Sequence, residues 1–162
     1  MSGGPVFTAP FSAVALTTNP HDLFHITAPA NARVALREIR LGQYTEFGDA
    51  QSELLSLQIM VGTTAGSTGT AITPRNVLQH TGAPTAGTAV VGPSTTLAST
   101  ASAVEMISDA WNVEAGYWLS PAECDRIVLN PGQRATLRMT APNDTLTLNG
   151  TLMFQEMGSP RL

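Results

Sequence analysis

Residues 144–156, DTLTLNGTLMFQE, admit two readings, and the choice between them sets the fold. Asn149-Gly150 is a strong two-residue hairpin signal. Folded back there, Leu148 would share a face with Thr151 and Leu152 with Thr147, mixing both faces. Left as one strand, the side chains alternate with period two. Leu146, Leu148, Leu152 and Phe154 then fall on one face with Gly150 among them, and Thr145, Thr147, Asn149, Thr151 and Gln155 on the other. A register with mixed faces would expose half of the apolar set, so the segregated pattern predicts one continuous strand. At about 3.3 Å per residue it spans roughly 40 Å. Gly150 then marks a bulge or a close backbone approach.

Outward from this stretch the chain reads as β-structure throughout. Val14 and Leu16 alternate, as do Phe24 and Ile26, and Leu55, Leu57, Ile59 and Val61 share one phase. In ARVALREIRLGQ, Val34 and Leu36 keep one phase and Ile39 and Leu41 the other, which predicts a bulge near Arg37-Glu38. Ala135, Leu137 and Met139 alternate with Arg134, Thr136, Arg138 and Thr140 after a Pro-Gly turn. VEMISDAWNV and DRIVLN are further strand candidates. About eight strands joined by Pro-, Gly- and Asn-rich turns predict an all-β, jelly-roll-like antiparallel β-sandwich with a long C-terminal strand and long neutral loops.

The domain reading is an N-terminal arm over 1–8 and one sandwich domain over 9–162, containing a low-complexity loop region at 62–104. Between Glu53 and Glu105 the single formal charge is Arg75. Such Ser/Thr/Gly/Ala-rich segments build little core of their own. They read either as a surface loop or as an arm ordered by lying on a partner. Within the arm, Pro5, Val6 and Phe7 form an apolar anchor and are the candidate contact with a partner surface.

Charged residues are 12% of the 162, about half the usual share. All eight basic residues are Arg, the net charge is −4 and the pI is near 5.2. An acidic chain of this kind is not expected to coat nucleic acid. No secretion signal and no run of about 20 apolar residues is read, so a soluble chain made in the cytoplasm, with no membrane partner, is expected.

Chemistry is sparse. His21 and His25 are four apart, a zinc-binding spacing on a helix, but LFHIT reads as strand, where the two would sit on one face roughly 13 Å apart. Cys124 lies between Glu123 and Asp125, whose carboxylates raise a thiol's pKa and oppose nucleophilic use. Glu123 with Asp125, or Asp49 with Glu53, read as solvated turn residues. No catalytic residue, metal site or cofactor is assigned, and a non-enzymatic role is expected. Trp111, Tyr117 and Trp118 are large aromatics of the kind that bury surface in a core or an oligomer interface, or that serve sugars as platforms. With Arg33, Arg37 and Arg40 they form the candidate oligomer or ligand interface.

The succession DLFHITAPANARVALREIRLGQ, ECDRIVLNPGQRATLRM and TLTLNGTLMFQEMG resembles the small β-sandwich virion structural proteins of tailed bacteriophages, the capsid decoration or cement proteins. The resemblance implies a part that binds and stabilises the outside of a head, with the major capsid protein as partner, a homotrimeric state and a place on the virion after synthesis in the host cytoplasm. It brings no catalytic residues. The alternative is a carbohydrate- or receptor-binding jelly-roll module of a phage fibre or tail, for which Trp111 and Trp118 would be exposed on a concave surface.

The polarised C-terminal strand is directly testable. Leu152→Asp places an unpaired charge in the core and should abolish soluble folded protein, whereas Thr147→Asp should leave a folded chain. Circular dichroism and thermal melting of the two variants check this, and equal losses would refute the face assignment.

Overall fold

The computed structural model describes residues 4–44, 53–64, 68–80, 83–84 and 86–158. The strands are β1 (Val6–Leu16), β2 (His21–Thr27), β3 (Arg33–Gln43), β4 (Leu54–Val61), β5 (Ala71–Ile72), β6 (Arg75–Asn76), β7 (Ala89–Val91), β8 (Val104–Asn112), β9 (Tyr117–Leu119), β10 (Val128–Leu129), β11 (Arg134–Met139) and β12 (Leu146–Met157). They make two six-stranded sheets. Sheet A runs β10-β3-β12-β1-β6, with β9 also on β3, and sheet B runs β5-β7-β2-β11-β4-β8.

The winding follows from four antiparallel pairs. β1 pairs with β12, β2 with β11, β3 with β10, and β4 with β8, which laid flat is one long hairpin. Rolling that hairpin brings β12 against β3 and β11 against β4, closing two sheets over one core. Along this path the chain changes sheet at each step except β4 to β8. This is the jelly roll expected from the sequence.

β12 is one continuous strand of twelve residues, and Asn149-Gly150 is not a turn. Leu146, Leu148, Gly150, Leu152 and Phe154 are buried, while Thr147, Asn149, Thr151 and Met153 are half-buried on the outer side. Gly150 is the close approach and not the bulge. A Cβ there would collide with the ring of Phe11, which packs at 5.1 Å on Phe24 of the opposite sheet. The bulge lies across the ladder, where Ser12 and Ala13 of β1 face Asn149 alone. Ala13 takes φ 52°, and its N–H donates to Asn149 Oδ1 at 2.7 Å. The dipeptide that suggests a hairpin thus makes room for a ring and pins a neighbour's irregularity.

β3 carries the expected bulge. Met153 pairs with Glu38 and Phe154 with Leu36, leaving Arg37 as the extra residue. The step returns Val34, Leu36, Ile39 and Leu41 to one buried face.

Two expectations are corrected. The arm over 1–8 does not end before the domain begins: Val6, Phe7 and Thr8 are the first residues of β1, paired with Gln155, Phe154 and Met153. Phe7 is 1% exposed and stacks on Phe154 at 5.6 Å. A Phe beside an open apolar strand gains more by entering its own core than by waiting for a partner.

The neutral region 62–104 is likewise no simple loop. β6 pairs with β1, and β7 with β5 extends sheet B beyond β2, so this region covers edges that would otherwise offer unpaired backbone groups. From β7 the chain then crosses the outer face of sheet B to reach β8 at the opposite edge. Asp22 anchors this belt. Its backbone exchanges hydrogen bonds with Ser94, and its carboxylate accepts from Ala98 N–H at 2.6 Å and from Arg138 Nε at 2.7 Å. Arg138 Nη2 donates in turn to the Ala98 carbonyl at 2.7 Å. Thr64 N–H donates to the Ser99 carbonyl further along.

His21 and His25 do not share a face. A bulge at Leu23 adds an odd step, so His21 pairs with Met139 and His25 with Thr136. His25 Nδ1 and Thr63 Oγ1 each lie 3.0 Å from Thr136 Oγ1, all three residues being buried. Thr17 N–H donates to His21 Nε2 at 3.1 Å.

Two predictions follow from these placements. Phe7→Ala should cost about 3–5 kcal/mol, read as a lower urea midpoint, and deleting residues 1–8 should destabilise the fold at least as much. The second concerns acid. Burial pushes both imidazoles below the usual 6.5, against the opposing pull of Asp22 on both. The unfolded chain therefore takes up protons before the folded one does as pH falls. This stability is complete above 6.5 and is lost as pH falls from there through the lowered folded values. Thermal midpoints should drop as pH falls below about 6.5, and His25→Gln should shrink the drop. A midpoint that rises on acidification over this range would contradict the assignment.

Candidate functional site

The two sheets present different outer faces. On sheet B the belt overlies β2 and β11, whereas on sheet A the described residues place no segment across the centre. There the ladder sets side chains in rows. Pro10, Thr151, Arg40 and Trp118 stand side by side across β1, β12, β3 and β9. Arg75, Thr8, Met153 and Glu38 form the next row. The middle of the face is therefore uncharged, with Thr8, Thr151 and Met153 half-buried and Pro10 exposed. Arg75 stands at the β6 side, and Trp118, Arg40 and Glu38 gather at the opposite β3–β9 side.

That rim is built by one cross-strand pair. Trp118 is 69% exposed, and the Arg40 guanidinium carbon lies 5.5 Å from its ring centroid. Arg40 also forms an ion pair with Glu38 two residues earlier on the same strand. The planar guanidinium serves both contacts, offering its face to the ring and its N–H groups to the carboxylate. Exposed cation–π pairs contribute about 0.5–1 kcal/mol, enough to bias the side-chain orientation.

The remaining sequence candidates separate. Trp111 is buried at 2% exposure, its Nε1–H donating to the Ala115 carbonyl at 2.5 Å. The concave platform of two exposed tryptophans is therefore not formed. Its sequence phase with Ile107 and Asp109 is inward, as β8's pairing with Leu55, Leu57 and Ile59 confirms. Tyr117 is half-buried and donates through its hydroxyl to Asp109 Oδ2 at 2.7 Å, which ties β9 of sheet A to β8 of sheet B. Burial, and then the Asp109 carboxylate, push the phenol's pKa well up.

The three arginines do not act as one strand face. Arg37, extruded at the bulge, donates from Nη1 to Gln155 Oε1 at 3.1 Å, and Gln155 Nε2 donates to the Gly4 carbonyl at 2.9 Å. Arg33 stands opposite Met157 at the far end of β3 from Arg40. Of the N-terminal candidates, Pro5 is exposed, Val6 is half-buried and Phe7 is core.

Among the described residues no three His, Cys, Asp or Glu side chains gather as a metal site. Cys124 is exposed in the 3₁₀ turn Glu123–Asp125, and Asp49 lies outside the described residues. Glu53 is buried and accepts from the Asn143 N–H at 2.8 Å, a structural role. A cleft of about 320 Å³ opens at the end of β1, walled by Thr17, His21, Thr70 and Ser94 among others and carrying no Asp, Glu or Arg. Two polar anchors escaped the sequence reading. Asp22 meets Arg138, which is 116 positions away, and Glu156 accepts from the Thr88 hydroxyl at 2.6 Å. Sequence alternation marks Arg138 as outward but says nothing of its partner.

No family model and no curated protein matches the chain. Among solved structures it is similar to a chain of the VP16-VP17 complex, the two major capsid proteins of bacteriophage P23-77, at 12% identity over 97% of this chain and 91% of that one, with a TM-score of 0.20. VP17, a capsid protein of the same phage, gives 11% identity over 97% and 89% with a TM-score of 0.17. The Gt strain of infectious bursal disease virus gives 14% identity over 96% and 41% with a TM-score of 0.14. At TM-scores this low, any functional reading rests on the chain's own sequence and geometry.

Proposed function

We propose that this chain is a non-enzymatic virion structural protein, a decoration protein that sits as a homotrimer on the outside of a tailed-phage head and holds the major capsid protein in place. The observation that carries the proposal is the uncovered outer face of sheet A. The three long strands β1, β12 and β3, at about 4.8 Å spacing and up to roughly 40 Å long, with the short β6, β9 and β10 beside them, make a face of roughly 650 Å². That is within the size range of one side of an ordinary stable protein interface. It is neutral at its centre and edged by Trp118 and Arg40, the residue types that dominate binding energy at such interfaces. The resemblance to cement proteins in the strand-and-turn succession supports the same reading.

The mechanism is linkage. A protein that binds the assembled shell, and not its separated subunits, stabilises the shell by the free energy of that binding. A stiff jelly roll suits this, because little order has to be created on docking.

Cryo-electron microscopy of heads incubated with the purified protein should show added density on the outer surface. Trp118→Ala should weaken head binding by about tenfold or more while the melting temperature stays within a few degrees. Light scattering of the free protein should give about three times the 17.0 kDa chain mass. Heads without added density would refute the proposal, and glycan binding lost with Trp118 would favour the fibre or tail alternative.

A further inference from the structure

The edges of the two sheets are guarded unequally. β2 is covered by β7, and β3 by β9 and β10. β1 has β6 over Phe7 and Thr8, and beyond that its edge is interrupted by Pro10 and by the Ser12–Ala13 bulge. β8 has no strand on its outer side among the described residues, although it is nine residues long. It contains neither Pro nor any basic residue. Its ladder with β4 shifts register between Ile107 and Glu105, which twists the first end away. From Ile107 to Asn112 the register is regular, and the edge over that run is about 20 Å long.

Side chains beside this edge are unusual for a free surface. Val104 and Met106 are 62% and 51% exposed, and Leu54 on the neighbouring β4 is 74% exposed. Glu105, Asp109 and Glu114 supply three carboxylates, with no Arg between Val104 and Leu119. None of the three is in an ion pair among the described residues. Glu105 accepts from Gln58 Nε2 and Asp109 from the Tyr117 hydroxyl, both neutral donors.

We propose that β8 is an acceptor edge, taking an extended, base-bearing segment of a partner polypeptide as an added strand along Ile107–Asn112. Main-chain pairing supplies the attraction, as in other cases of strand addition, and the flanking apolar side chains give it an anchor. The sign of the charge selects the occupant. A second copy's β8 would bring carboxylates toward carboxylates, which is destabilising across a strand pair. An incoming Arg or Lys beyond the Ile107 end of the run would meet exposed Glu105 instead. Long open edges are normally blunted, so a regular run of six residues left open between exposed Met106 and exposed Leu54, while β2 and β3 carry strands on their outer sides, points to use.

The test needs only the full chain and three labelled, acetylated hexapeptides. The first is Arg-Thr-Val-Thr-Val-Arg, the second has Glu in place of both Arg, and the third is the first with alternate backbone nitrogens methylated. Fluorescence anisotropy should show the first binding with a Kd of about 1 mM or tighter and the other two at least about tenfold weaker. Hydrogen exchange should slow at residues 107–112 when the first peptide is added. Absence of binding by the first peptide, equal binding by all three, or protection confined to another strand would each overturn the proposal. Because no capsid is involved, its failure is separate from failure of head binding.

Discussion

Everything in this fold leans on β12, and β12 leans on the contact between Gly150 and Phe11. The strand lies between β3 and β1 and has its whole inner face in the core, so it cannot slip by one residue without turning four large apolar side chains outward. Its neighbours are not regular, however. β1 carries an extra residue opposite Asn149, and β3 carries one at Arg37. Each irregularity returns an apolar set to the core face, and each is fixed by a polar side chain of β12, Asn149 in one case and Gln155 in the other. Glycine at 150 lets the Phe11 ring lie flat against the central strand and reach Phe24 in the other sheet. One missing Cβ thus sets how closely the sheets approach at that point.

The architecture was legible where a pattern is local. Alternation in β12, the phase change in β3 and the runs in β4 and β11 are statements about neighbours in sequence, and the ladder honours them. The first strand was less legible because Pro5 and Pro10 break an otherwise extended run. Pro10 fits β1 because β6 covers only Phe7 and Thr8, leaving no outer strand that needs its missing N–H. The neutral middle was least legible. Thr, Ser, Gly and Ala have the same chemistry whether they lie on a partner or on their own sheet. What decides is Asp22 and Arg138, which meet only once the fold is formed.

The same division runs through the surface. Trp111 and Trp118 are equivalent as composition, but phase separates them: one stands in line with Ile107 and Asp109, the other opposite Arg40. Tyr117 lies next to Trp118 and turns the other way, so a single strand of three residues offers one aromatic to the interior and one to the outside. The candidate surface is therefore a product of pairing between strands, which sequence order does not display.

The belt between β7 and β8 has a mechanical consequence. It joins the two flanks of sheet B by a covalent path laid over the strands between them, with its midpoint riveted to Asp22 and Arg138. A load that peels the β8 flank away must first drag on that rivet, and through it on β2 and β11 near the middle of the sheet. Tension at one flank is thereby spread across the sheet and not concentrated on the outermost row of hydrogen bonds. A part fastened to a shell under internal pressure would gain from such a seam, because it yields as a unit or not at all.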